Sequence, residues 1–283
     1  MTLDDLVLHP QSRKLADLLV GSLPHGLIID GPTGIGVRTV AQAMAESAHA
    51  ATFVIEPKKK VKGEFVVDAL EGSVIIEDIR RLYELTRTKQ PEKQIYVIDT
   101  GEKSMTLGAQ NAFLKLLEEP RPNLHFIIVT HRFDQLLPTI VSRTQRLSLQ
   151  PITVEQTIAL IGKVGVVDDT KRTRLAFVGR GLPALIKRLA DDEKQYESRV
   201  VIMIDAKAML GADVYQKLSI IHKYRDNRAG ALTLLDDMNY QLRTVVRSNP
   251  DKKLVGGIER NLEIRDKVAS GGNIRLHLTS GVL

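Results

Sequence analysis

Residues Gly31-Pro32-Thr33-Gly34-Ile35-Gly36-Val37-Arg38-Thr39 follow the apolar run Leu27-Ile28-Ile29-Asp30 and precede a helical pattern. Strand, glycine loop and helix in that order form the context in which backbone N–H groups wrap a phosphate at a helix N-terminus. Gly31, Gly34 and Gly36 are therefore candidate phosphate-cradling residues. A working loop continues with a lysine that reaches the β- and γ-phosphates, then a Ser or Thr that holds Mg²⁺. Val37 and Arg38 stand at those positions. Valine supplies no charge and a guanidinium carries donors only, so neither role survives. Sliding the motif to Arg38 and Thr39 fails, because one residue turns a helix by about 100°. The bland alternative, a tight turn that caps a helix in some other α/β fold, would use the same glycines.

A second element bears on the same chemistry. Gln94-Ile95-Tyr96-Val97-Ile98-Asp99 is an apolar strand ending in an acid, the place where P-loop ATPases organise the Mg²⁺ shell. The general base of an ATPase would be a glutamate directly after that aspartate, and Thr100 stands there. Glu102, two residues on, is expected to point elsewhere. Lysine, hydroxyl and base are thus all missing, on two separate elements, which argues against hydrolysis by this chain alone.

The elements that must position these residues alternate in type. Leu27 to Ile29, Thr52 to Ile55, Ile95 to Ile98, His125 to Val129 and Arg146 to Leu149 are short apolar or β-branched runs, read as buried parallel strands. Ala109, Ala112, Phe113, Leu116 and Leu117 keep helical spacing, and Pro120 stops that helix. Such alternation implies a parallel sheet covered on both faces. After Pro151 the pattern turns helical: Thr153 and Gln156 form a capping box, a helix spans Asp169 to Phe177 and ends at Gly179, and another follows Pro183. Polar breaks at Gly211-Ala212-Asp213, Ser248-Asn249-Pro250 and Gly271-Gly272-Asn273 divide a helical C-terminal part. The expected organisation is an α/β domain over 1–150, a small helical domain over 151–196 and a helical bundle over 197–283.

Composition sets the outer bounds. The 283 residues are 43% hydrophobic and 26% charged, as in globular chains, and no stretch is apolar enough to span a bilayer. The first residues, MTLDDLVLHPQSRK, do not read as a signal peptide, and the absence of cysteine excludes thiolate metal sites, so a cytoplasmic location is expected. A net charge of +6 suits a phosphate-bearing partner, but the one tight run, Lys58-Lys59-Lys60-Val61-Lys62, reads as a solvated loop. His25 and His49 have no partner at metal spacing.

Longer stretches carry a family resemblance. Ala109-Gln110-Asn111-Ala112-Phe113-Leu114-Lys115-Leu116-Leu117-Glu118-Glu119-Pro120, then Phe126 to Thr130, then Leu137-Pro138-Thr139-Ile140-Val141-Ser142-Arg143-Thr144, resemble the AAA+ subunits of the bacterial DNA polymerase III clamp loader. Leu23 to Gly26 and Asn273 to Leu276 match as well, and the resemblance is strongest from Ile95 to Gln145. It implies an AAA+ P-loop α/β domain with a parallel sheet, a small helical lid and a C-terminal helical collar. Within the family, Val37, Arg38 and Thr100 resemble the delta-prime type, a stator, more than the gamma/tau motor. Leu185 stands where the family carries its sensor-2 arginine, and Thr130 matches the sensor-1 position.

By the same resemblance, Ser142 and Arg143 correspond to the family's trans element, in which the arginine neutralises charge on ATP bound in the adjacent subunit. A planar, permanently charged fork suits that task. The implied partners are gamma/tau-type and delta-type clamp-loader subunits, the sliding clamp and, through the assembled complex, primed DNA. ATP and Mg²⁺ are expected in the neighbour, and no cofactor is expected in this chain. The family's four-cysteine zinc module has no counterpart, since Ala48-His49-Ala50-Ala51 runs straight on. Thr144 replaces a cysteine, a change expected to affect packing only. Two other readings stay open: a gamma/tau-type ATPase with an atypical P-loop, and an unrelated AAA+ scaffold.

Overall fold

A strand that is apolar at nearly every residue needs two covered faces, and the central apolar runs fold that way. The computed structural model describes residues 1–87, 92–248 and 251–281. It divides into two units, Met1–Ala190 and Asp191–Leu283. In the first, helix α1 (Pro10–Gly21), strand β1 (Gly26–Asp30), α2 (Val37–Ser47), β2 (Ala51–Ile55), β3 (Lys58–Val61), β4 (Glu64–Val67) and α3 (Ile76–Leu85) come before β5 (Gln94–Asp99). Then follow α4 (Leu107–Glu118), β6 (Leu124–Thr130), α5 (Pro138–Val141), β7 (Gln145–Ser148), α6 (Val154–Lys163), α7 (Asp169–Gly179) and α8 (Pro183–Asp191).

Five strands form one sheet in the order β2-β5-β6-β1-β7, and every described pairing in it is parallel. Leu27, Ile29, Val97, Ile127 and Val129 face Ala16, Leu19, Val40, Ala41 and Met44 of α1 and α2. Ile28, Ile98, Phe126 and Ile128 face Ile79, Leu82, Phe113 and Leu116 of α3 and α4. Neighbouring residues on each strand thus feed opposite cores, as the period of two demands. The AAA+-like α/β architecture and the helical C-terminal region agree with the expected fold class.

Two local readings need correction. β2 is an edge strand paired only with β5, and Phe53 is 45% exposed, so it is not buried on both faces. The lysine run is not a solvated loop. Lys58–Val61 pairs antiparallel with Glu64–Val67 around Lys62 (φ 50°) and Gly63 (φ 96°), two positive-φ residues as a tight hairpin turn requires. Lys58 bonds Asp78 at 2.7 Å and Lys59 pairs with Glu71, so local acids absorb two of its charges.

After β7 the capping box forms as read: Thr153 Oγ1 accepts from Gln156 N at 3.3 Å, and Thr153 N donates to Gln156 Oε1 at 3.0 Å. Gly181, at φ 70°, lets its carbonyl accept from Ile152 N at 2.8 Å and so ties the α7–α8 turn to the chain leaving the sheet.

The second unit holds α9 (Glu193–Gly211), α10 (Val214–Lys223), α11 (Arg228–Ser248), α12 (Lys252–Ala269) and α13 (Ile274–Ser280). Breaks at Ala212-Asp213 and Gly271 to Asn273 fall as expected, whereas Asn249-Pro250 lies outside the described residues. α9 runs unbroken through residue 197. Leu234, Leu235, Met238, Ile220, Ile221, Ile264 and Val268 fill the core of this unit. One buried polar pair there is Tyr224 with Asp205: Tyr224 Oη donates to Asp205 Oδ2 at 2.8 Å, and burial, then that hydrogen bond, pushes the phenol up.

Arg199 and Asp237 form a forked ion pair with side chains only 11% and 3% exposed. Removing one partner of such a pair strands a charge in the interior. Asp237→Ala should therefore cost about 3 kcal/mol in urea unfolding. Asp236→Ala, at the half-exposed Arg265 pair, should cost about 1 kcal/mol or less.

Candidate functional site

The glycine loop lies at the carboxyl ends of the parallel strands, the edge where α/β sheets gather ligand-binding residues. Three strands close there with acids: Asp30 on β1, Asp99 on β5, and Glu56 directly after β2. Gly34 (φ 91°) and Gly36 (φ 97°) supply the left-handed turns that aim the chain into α2, with Gly36 as its N-cap. Gly31 packs under Leu149, and its carbonyl accepts from His131 Nδ1 at 2.8 Å. The three glycines are thus brought together as one turn.

What covers that turn is protein. The first turn of α8 rests on it: Leu185 N donates to the Gly34 carbonyl at 2.9 Å. A Cβ on Gly34 would lie 2.9 Å from Leu185 Cβ, and one on Gly36 would lie 3.4 Å from Ala184 Cβ. Val37, where a P-loop has its lysine, is 4% exposed and belongs to the core beneath the loop. Arg38 turns outward to the acids: Nη1 lies 2.7 Å from Glu56 Oε1 and 3.3 Å from Asp99 Oδ2. A guanidinium therefore sits beside the strand-end carboxylate, at the residue where a hydroxyl would be needed to hold a metal.

Thr100 is buried with no hydrogen-bond partner for Oγ1 among the described residues, and Thr130 Oγ1 accepts from Arg132 N at 3.0 Å. Glu102 does not point away as expected. Because Gly101 takes φ 62°, the chain doubles back, and Glu102 Oε2 accepts from Thr33 Oγ1 of the loop at 3.0 Å.

The second candidate element lies elsewhere. Ser142 and Arg143 end the short helix α5 and lead into β7. β7 runs parallel to β1 from the pair Leu27–Gln145, so Arg143 sits at the amino end of the sheet. The glycine loop is at the other end, about 16 Å along β1 at roughly 3.3 Å per residue. Ser142 Oγ donates to the Thr139 carbonyl at 3.1 Å, and Arg143 Nη1 donates to the same carbonyl at 3.1 Å. Arg143 Nη2 meets Glu118 at 3.0 Å, and the Arg143 side chain is 39% exposed. Thr144 Oγ1 donates to the Ile140 carbonyl at 3.0 Å while its methyl lies against Gly26, a packing role.

Sequence reasoning missed three residues that hold these parts. Arg146 grips Asp30 through two bonds of 2.7 and 2.8 Å and stacks 3.5 Å over Phe133, pinning β7 to the end of β1. Glu56 and Glu118 gave a weak signal: each is an acid that directly follows or ends an apolar segment. His25 is bracketed by the carbonyls of Leu116 (2.8 Å) and Leu124 (2.9 Å), and His49 (φ 51°) is exposed in the link between α2 and β2. Among the described residues no group of three or more His, Asp or Glu is placed to hold a metal ion, and no helix is long and apolar enough to cross a membrane.

Gly34→Ala tests the covered turn. It adds a side chain at positive φ and against Leu185, and should cost on the order of 2 kcal/mol in thermal or urea unfolding. Gly63→Ala, at an open hairpin tip, meets no neighbouring atom and should cost less.

Comparison with known proteins fits this geometry. Residues 13–153 match the family model described as "DNA polymerase III, delta subunit". The chain is 28% identical over 162 residues to DNA polymerase III subunit gamma of Buchnera aphidicola, covering 52% of this chain and 43% of that one. It is 28% identical over 178 residues to DNA polymerase III subunit delta' of Haemophilus influenzae, covering 57% and 54%. The aligned part thus spans about half the length of these relatives or less. A DNA polymerase III gamma subunit-related protein of Thermotoga maritima superposes with a TM-score of 0.53 at 17% identity, covering 96% of this chain and 97% of that one, and so shares the fold. The family match, the relatives and the sheet with its helical additions agree: the chain belongs to the bacterial DNA polymerase III clamp-loader family.

Proposed function

We propose that this chain is a non-hydrolysing, delta-prime-like clamp-loader subunit that presents Arg143 to ATP held by a neighbouring subunit. One observation carries the reading: Arg143 lies just before β7 at the amino end of the sheet, away from the chain's own glycine loop at the carboxyl end. A cation placed there can serve only a phosphate brought by another molecule. β7 is rigidly held, by β1 and by the Arg146–Asp30 fork, so its root is preorganised. Ser142 steadies the guanidinium through Oγ at 3.4 Å. In a ring, Arg143 would exchange Glu118 for the γ-phosphate, a small cost because an exposed ion pair is worth about 1 kcal/mol or less.

The residues at the chain's own loop do not fit a magnesium nucleotide. Leu185 and Ala184 lie on Gly34 and Gly36, Val37 is in the core, and Arg38 faces the carboxylate that would organise the metal. No catalytic step is therefore assigned to that loop. The partners on this reading are gamma/tau-type and delta-type subunits, with the sliding clamp and primed DNA reached through the assembly. ATP and Mg²⁺ belong to the neighbour. The rival reading, a gamma/tau-type ATPase with an atypical loop, is favoured by one contact, the Glu102 carboxylate beside Thr33.

Two measurements separate these. Titration of the isolated chain with a fluorescent ATP analogue and Mg²⁺ should give no micromolar binding and no turnover; either one supports the ATPase reading and removes the stator. In a complex reconstituted with gamma/tau-type and delta-type subunits, Arg143→Ala should lower turnover at the adjacent site by roughly 10³-fold, as for other arginine fingers, with assembly intact by gel filtration. Unchanged DNA-stimulated turnover would remove Arg143 from that role.

A further inference from the structure

We infer that Arg38 is a tethered replacement for the metal ion: its guanidinium neutralises Asp99 and Glu56 and so keeps the glycine loop and α8 closed without a nucleotide. The inference deepens the non-hydrolysing reading of this loop and shares its premise that Mg·ATP does not bind here.

The argument starts from charge. Asp99 closes β5, with a side chain only 14% exposed, and Glu56 follows the adjacent strand β2. Parallel pairing places these strand ends side by side, so two carboxylates meet at one edge and repel. Arg38, in the first turn of α2, reaches both from one nitrogen, at 2.7 Å to Glu56 and 3.3 Å to Asp99. A cation in the first turn of a helix is ordinarily disfavoured by the helix dipole. Between two acids the triad is net negative, the sign that a helix N-terminus favours. One guanidinium thereby satisfies helix and acids together.

The same residue links the loop to the sheet. Gly36 caps the helix whose first turn carries Arg38, and Gly34 receives the α8 backbone through Leu185 N. α2, β2 and β5 are joined at their ends by one side chain, next to the loop on which α8 rests. In a nucleotide-dependent relative that junction would be completed by a diffusible ion; here the cation is covalently part of the chain. Arginine suits this position because it is a permanent cation and one terminal nitrogen reaches both acids.

The test compares thermal unfolding of the full chain in EDTA and in about 10 mM MnCl₂, Mn²⁺ being the probe. Wild type should be indifferent to Mn²⁺. Arg38→Thr should melt about 4 °C lower in EDTA, because two facing carboxylates lose their cation. Mn²⁺ should restore about 3 °C of that loss. Arg38→Lys should behave as wild type. The double variant Arg38→Thr/Glu56→Gln, with one carboxylate fewer, should recover stability in EDTA and lose the Mn²⁺ response, and it provides the reading if Arg38→Thr alone does not fold.

A wild-type chain stabilised by Mn²⁺ as strongly as Arg38→Thr overturns the inference. So does a threonine variant as stable as wild type, or one destabilised but deaf to Mn²⁺, or a double variant no more stable than the single. No arm reads turnover, so failure here leaves the role of Arg143 standing, and failure of the Arg143 experiment leaves this one standing.

Discussion

Three carboxylates lie at the carboxyl edge of one sheet, two of them at the adjacent strand ends of β2 and β5 and the third on β1, and two arginines hold them there. Asp30 and Asp99 end buried apolar strands, and Glu56 follows the edge strand β2 that pairs with β5, so packing and pairing fix the acids in place. Parallel strands bring their ends together, and burial strengthens repulsion that water would screen. Two arginines answer the constraint. Arg146 comes across from β7 to Asp30, and Arg38 comes down from α2 to Glu56 and Asp99. Each arginine also fixes something beyond its partner: β7 and hence the root of Arg143 in one case, the entry of α2 and the glycine loop in the other.

On the proposed reading, this arrangement keeps one of two activities that a motor subunit of the same fold would combine. The carboxyl edge, where a nucleotide would sit, is filled by side chains and by the first turn of α8. The amino edge keeps an exposed arginine on a rigid root. On the proposed reading the chain contributes to a neighbour's chemistry without running a cycle of its own, and its rigidity serves that purpose. A finger is useful in proportion to how little it must reorganise when the phosphate arrives.

Much of this was legible in the sequence because it rests on short-range rules. The five sheet strands are apolar runs with turn residues at their ends; the capping box at Thr153 and Gln156 and the stop at Pro120 are local signals. Val37 and Arg38 depart from the phosphate-loop pattern by residue type alone. The hairpin Lys58–Val67 was hidden because its strands carry no alternation and its turn residue Lys62 has no preference for positive φ. Glu102 was misjudged for a related reason: the positive φ of Gly101 reverses the chain, and counting residues along a straight strand cannot foresee that. Glu56, Arg146 and the seating of α8 on Gly34 depend on which strand ends meet, which only the folded sheet decides.

The burial of Val37 limits how this loop could be re-engineered. The side chain packs into the core with 4% exposure, so a lysine there would place an ammonium group among Ile35, Leu182 and their neighbours unless the loop above it opened first. Opening needs α8 to lift, and α8 is held while Leu185 rests on Gly34. A hydroxyl restored at residue 38 would leave its two acids face to face. Turning this loop into a magnesium–nucleotide site therefore takes coordinated changes at residues 37 and 38 and at the seat of α8, because each substitution alone meets a packing or charge penalty first.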